Sequence, residues 1–137
     1  MNLIHDIELS LFTEVPEDKE LNILYYLNQQ NTPEVGELES INDLSKLIDM
    51  SAINFYVLAG DKIIGFVICF REGSEYKSPN YSYFKNKEDK FLYIDRVVIK
   101  DAYRRRGAGS YLYDHLHELA KKEGIPLCCE VNIMPKN

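Results

Sequence analysis

Cysteine is scarce in this chain, long apolar runs are missing and positive charge is not in excess; each shortage removes a class of function. The three cysteines include the adjacent pair Cys128 and Cys129. They make neither a disulfide framework nor a metal-ligand spacing, and read as reduced thiols of a cytoplasmic protein. No apolar stretch approaches bilayer-spanning length, and the opening MNLIHDIELS lacks the basic-then-apolar order of a signal peptide, so no membrane partner is expected. A formal charge of −6 argues against a nucleic-acid partner, which would need a basic face. His115 and His117 stand two apart on a helical stretch and point to different sides, so no shared metal is expected. There is no G-x-G-x-x-G, and no Lys-Ser/Thr pair follows a glycine turn as a P-loop requires.

What is present suits one globular domain over residues 1–137, with 45% hydrophobic and 28% charged residues. The charge is uneven. Residues 1–50 hold eleven acids and two bases, whereas KDAYRRR (100–106) holds four bases and one acid. A mostly acidic chain with positive charge gathered at one spot suits a local anionic ligand better than a polyanion. The acidic N-terminal half could favour a cationic acceptor, though most acidic surface serves solubility.

Patterning predicts a strand over 7–15 and a helix placing Leu21, Leu24, Tyr25 and Asn28 at helical spacing. A second helix opens at the N-cap Ser40 and turns Ile41, Leu44, Leu47 and Ile48 to one face. Two β-rich runs around AGDK predict a hairpin. Residues 71–90 are polar and charged, contain Pro79 and read as a long surface loop; Tyr76, Tyr81, Tyr83 and Phe84 there are candidates to cap an acceptor site or to anchor packing. FLYIDRVVI (91–99) is a strand. A helix from Gly109 to Glu123, stopped by Gly124 and Pro126, leads to a last strand in PLCCEVNIM. The order is β-α-α-β-β-β-α-β, an α/β (α+β) chain.

At the last strand-to-helix turn, VVIKDAYRRRGAGSYLYDHL brings three arginines against Gly-Ala-Gly. A helix N-terminus offers unpaired N–H groups and the positive end of its dipole, and glycine lets a ligand approach the main chain. Such a turn can hold a phosphate or pyrophosphate.

That stretch resembles the acyl-CoA signature of the GNAT superfamily of N-acetyltransferases, here Arg104-Arg105-Arg106-Gly107-Ala108-Gly109 after the strand Val97-Val98-Ile99. The element order resembles that fold from its first strand through its fifth. LNQQNTPEVGEL and FLYIDRVVI resemble a poorly characterised bacterial branch of it. The resemblance implies a mixed, mostly antiparallel sheet flanked by helices. It also implies acetyl-CoA as cosubstrate without a metal, and transfer of an acetyl group to a primary amine of a small molecule or peptide.

By the same resemblance, backbone groups of Val97, Val98 and Ile99 would pair with the pantetheine arm. The main chain of residues 105–110, Ser110 included, would hold the pyrophosphate, with Arg104, Arg105 and Arg106 adding charge. Glu130 sits where some relatives carry a catalytic glutamate. Asp95, which a period of two places on one strand face with Tyr93 and Val97, is the other candidate base, and Tyr93 joins the catalytic set. Each carboxylate has a plainer reading, Asp95 as half of a buried ion pair with Arg96 or a helix residue and Glu130 as an edge-strand charge. Members of the family continue past the fifth strand with a helix and closing strand, whereas this chain ends at NIMPKN. The expectation is a C-terminally short domain, either a truncated product or one whose sheet a second copy completes at the last strand. A non-catalytic acyl-CoA-binding remnant is the alternative.

Overall fold

A computed structural model describes residues 7–33, 35–104 and 107–129. Five strands form one sheet in the order of the chain: β1 (Ile7–Phe12), β2 (Ile53–Ala59), β3 (Lys62–Arg71), β4 (Leu92–Ile99) and β5 (Leu127–Cys129). The first four pair antiparallel, and β5 pairs parallel with β4 after the crossover through the helix. The mixed, mostly antiparallel sheet flanked by helices is the architecture expected from sequence. β1 ends at Phe12, short of the expected Val15, where its pairing with Asn54 stops.

Helix α1 (Asp18–Gln30) buries Leu21, Leu24, Leu27 and Asn28, and α2 (Ile41–Met50) buries Leu44, Leu47 and Ile48. The Ser40 hydroxyl caps α2 by accepting from the Asp43 N–H, which satisfies one of the orphan donors of the first turn. These two helices cover one sheet face, packing on Phe66, Ile68, Phe70 and Val98. The opposite face, with Val67, Cys69, Ile94 and Ile99, is covered by α5 (Ala108–Glu123) through Leu112, Leu116 and Ala120. Gly124, at φ 69°, ends α5 in the left-handed conformation that glycine takes without a Cβ penalty. The β2–β3 hairpin turns at Gly60-Asp61, with Gly60 at φ 66° as a two-residue loop demands.

Residues 71–90 are not a loop throughout: Pro79–Lys87 form helix α3. Pro79 occupies the first turn, where its missing N–H costs nothing, and the Ser78 hydroxyl accepts from the Tyr81 N–H as N-cap. Ser-Pro here starts a helix; the surrounding charges are its solvent face. Tyr81 is fully buried, donates its hydroxyl to the Arg71 carbonyl at 2.7 Å and accepts from the Ser74 N–H. It is a packing anchor, with Phe70, Phe91 and Tyr93 around its ring. Truncating it to alanine should cost about 3–5 kcal/mol, the usual loss for a large core aromatic.

Candidate active site

Strand β4 carries an irregularity that shapes everything near it. Ile68 pairs with Arg96 and Cys69 with Ile94, so Asp95 is an extra residue that the register skips. A bulge of this kind bends the strand and reverses the facing of side chains beyond it. Leu92, Ile94, Val97 and Ile99 accordingly pack on the α5 side, and Tyr93 and Val98 on the α1–α2 side. The expectation that Tyr93, Asp95 and Val97 share one face fails here, because a period of two does not survive an inserted residue.

Beyond the bulge, the Lys100 N–H donates to the Ile64 carbonyl at 2.8 Å. Alternation along an antiparallel pair then turns the N–H and C=O of Val98 toward Phe66, and those of Val97 and Ile99 toward the opposite edge. Of the three strand residues expected to pair with a pantetheine arm, Val98 is therefore spent on β3 and the core. The described pairing of β4 with β5 covers Leu92–Ile94 only. Gly65 makes this close packing possible, since a Cβ there would sit on the Val98 carbonyl.

A cleft of about 460 Å³ runs along this segment. One wall is Asn31, Val35 and Gly36, from the α1–α2 connection, with Tyr76 and Ser78 from the segment before α3. The floor is residues 93–97 and Ile99, and the far end is Arg104, Gly109 and Tyr113. At that end the short helix α4 (Asp101–Arg104) leads to Gly107, which caps α5 at φ 87°. The first intrahelical bond of α5 runs from the Tyr111 N–H to the Gly107 carbonyl. The N–H groups of Ala108, Gly109 and Ser110 precede that bond and have no acceptor within α5 among the described residues. A Cβ on Gly109 would meet nothing within 4 Å, so the main chain there is open to a ligand. Arg104 lines the cleft and pairs with Asp101 at 2.7 Å. Arg105, Arg106 and Glu130 lie outside the described residues.

The other end is built from side chains. The Tyr76 hydroxyl donates to Asp95 Oδ1 at 2.8 Å, and its ring stacks on Phe70 with centroids 4.2 Å apart. Burial, followed by the Asp95 charge and the hydrogen bond to it, pushes the Tyr76 phenol well above its ordinary range, so it stays a donor. Arg96 Nε lies 3.4 Å from Asp95 Oδ2, with the two side chains 12% and 8% exposed. Arg96 Nη1 also donates to Asn28 Oδ1 at 3.0 Å and to the Gly36 carbonyl at 2.6 Å. Asp95 is thus the buried ion pair that the plainer sequence reading offered, and it faces a cleft as well.

Tyr93 is buried under the same cleft, against Tyr81 and Phe84. Tyr76 was legible as a candidate cap; Asn28 and Gly36 were not, because their tie to Arg96 spans 68 and 60 residues. No cluster of metal-ligating side chains occurs among the described residues.

Comparison with known proteins follows the same line. The model of the Acetyltransferase (GNAT) family matches residues 12–137. No curated protein sequence matches. Among solved structures, a "possible acetyltransferase" from Clostridium difficile 630 superposes with a TM-score of 0.64 at 19% identity, covering 91% of this chain and 79% of that one. An aminoglycoside acetyltransferase from an uncultured soil metagenomic sample, in complex with sisomicin, gives 0.59 at 14% identity, with coverages of 93% and 78%. The aminoglycoside N-acetyltransferase AAC(6')-Iy in complex with CoA gives 0.61 at 11% identity, with coverages of 91% and 76%. At these identities the superpositions speak for the fold.

Proposed function

The chain belongs to the GNAT acetyltransferase family, and on that premise we propose that it transfers an acetyl group from acetyl-CoA to a primary amine by direct attack on the thioester. The observation that carries this reading is the union, in one cleft, of the outward edge of β4, the first turn of α5 and the Asp95 carboxylate. The pyrophosphate would rest on the N–H groups of Ala108, Gly109 and Ser110, favoured by the helix dipole, with Arg104 beside it. The pantetheine arm would lie along Val97 and Ile99 as an added strand.

The acetyl carbonyl would then meet the Val97 N–H. One preorganised donor at a developing oxyanion contributes about 3 kcal/mol, and alignment of the reactants several more. The amine nitrogen attacks the carbonyl carbon, the C–S bond breaks and CoA leaves as its thiolate, which takes up a proton from solvent. Asp95 is the base we assign to the amine proton, with Glu130 as the second candidate. The acceptor would enter between Tyr76 and the Asn31–Gly36 wall. Small-molecule amines are the acceptor class suggested by the aminoglycoside acetyltransferases among the structural relatives.

Isothermal titration of the whole chain with acetyl-CoA and with CoA tests the cofactor half. Micromolar binding of both is expected, and no binding of either would sink the assignment. One observation favours a second reading, acyl-CoA binding without transfer: both Asp95 oxygens are already engaged, by Tyr76 and by Arg96. Binding without turnover of spermidine, sisomicin or a lysine tripeptide would select it.

A further inference from the structure

The side chains around Asp95 do more than hold one carboxylate. Arg96 leaves β4 immediately after the bulge and crosses to the α1–α2 connection. Its Nη1 bridges Asn28 Oδ1 and the Gly36 carbonyl, and Asn28 Nδ2 donates to the same carbonyl at 3.1 Å. Asn28 is fully buried in α1, so this grip is anchored in the core. The connection is secured further along by the Leu38 N–H donating to Gln29 Oε1 and by the Tyr25 hydroxyl donating to the Leu38 carbonyl. On the other side, Asp95 Oδ1 takes the Tyr76 hydroxyl, from the opposite lip of the cleft. A continuous polar chain therefore runs from Tyr76 through Asp95 and Arg96 to Asn28 and Gly36.

Arg96 Nε is the unusual atom of this chain. It is buried, makes no hydrogen bond and stands at ion-pair distance from Asp95 Oδ2. A buried donor whose carboxylate neighbour lies beyond good hydrogen-bond geometry is only partly compensated, by charge rather than by a bond. What the arrangement gains is geometric: one planar guanidinium spans the bulge carboxylate and the wall carbonyl, a span that a point-charged lysine cannot reproduce.

We propose that Arg96 is a positioning residue for acceptor binding, fixing the Asn31–Gly36 wall at a set distance from Asp95. This rests on the reading that the acceptor enters at that wall. Removing Arg96 loosens the wall, which then keeps only its ties to α1, and leaves the first turn of α5 and the outward edge of Val97 and Ile99 in place. The loss should therefore fall on acceptor affinity and spare the cofactor.

The test uses the full chain as wild type, Arg96→Gln, Arg96→Lys and Asn28→Ala. Amide hydrogen exchange is followed at Val35 and Leu38, the first donating to the Asn31 carbonyl and the second to Gln29 Oε1. Arg96→Gln is expected to speed exchange at both about tenfold or more, with β3 amides unchanged and calorimetric acetyl-CoA affinity within twofold. Asn28→Ala, which cuts the grip at its other end, should do the same.

Steady-state rates are then compared on whichever of spermidine, sisomicin or a lysine tripeptide turns over. Arg96→Gln should raise the acceptor KM about tenfold, with a change in kcat alongside because it also strips Asp95 of its counter-charge, whereas Asn28→Ala should raise KM with the Arg96–Asp95 pair kept; Arg96→Lys should recover only part of the loss. Unchanged exchange at Val35 and Leu38 in Arg96→Gln, or a loss confined to kcat, would overturn the proposal. Failure of wild type to bind acetyl-CoA would instead sink the function proposed above, and the exchange measurement would still decide the role of Arg96 in the wall.

Discussion

The two ends of the cleft are made of different material. At the α5 end the groups offered to a ligand are main-chain N–H groups, fixed by a left-handed Gly107 and by the start of a helix. At the Asp95 end they are side chains drawn from β4, α1 and the segment before α3, held by hydrogen bonds that reach across the sequence. Backbone sites survive most substitutions except those that fill the space in front of them. Side-chain sites lose function one atom at a time. Under the proposed function, that difference suits a cosubstrate at one end and an acceptor at the other.

The sharpest way to break the comparison is Asp95→Asn. With Asp95 as base, kcat should fall about a hundredfold to ten-thousandfold while calorimetric acetyl-CoA affinity stays within twofold. A small change in kcat would pass the role to Glu130. Next comes Gly109→Glu. Its side chain starts in open space, so the fold should persist by circular dichroism. The new carboxylate would face the pyrophosphate and weaken acetyl-CoA binding about a hundredfold, as close like charges do.

Arg104→Ala should be far milder. Its guanidinium is exposed and already shared with Asp101, so acetyl-CoA affinity should drop less than about fivefold by the same calorimetry. A large loss would show that side-chain charge, rather than main chain, builds this end.

The smallest effect lies outside the cleft. Glu72 is gripped by Arg71 through two 3.0 Å contacts and also accepts from the Phe91 N–H, joining the end of β3 to the start of β4. The Arg71 hydrogen bond, foremost, holds its carboxyl down at about 2, against an ordinary 4.5. A lowered folded-state value means that the carboxylate stabilises the fold above the ordinary range and that this contribution fades as pH falls from 4.5 toward 2. Thermal melts of Glu72→Gln should therefore sit slightly below wild type at neutral pH and converge with it in acid.

Most of the fold was legible because it is written in local patterns. Leu21, Leu24 and Asn28 fall at helical spacing, Ser40 announces a cap, Gly60 and Gly124 mark turns, and each does in the structure what its chemistry suggests. The α5 end of the site was legible for the same reason, since Gly107 to Ser110 are consecutive. Helix α3 was hidden because Pro79 and the surrounding lysines look alike in a loop and in a helix's solvent face. The bulge was hidden because nothing in YIDRVV says which residue the neighbouring strand will skip. With it went the facing of Tyr93 and Val97, and the whole Asp95 end, whose partners meet only after folding.

The skipped residue has a consequence for how such a protein changes over generations. Asp95 stands between two half-strands of opposite parity, skipped by the register with β3, and Tyr76 and Arg96 hold its side chain. Its side chain is 8% exposed and ion-paired, so exchanging it also strips the buried Arg96 guanidinium of its counter-charge. The chemistry at the floor of the cleft and the stability of the strand that carries it are therefore coupled through Arg96, and selection can rewrite the first only by changing the pair together.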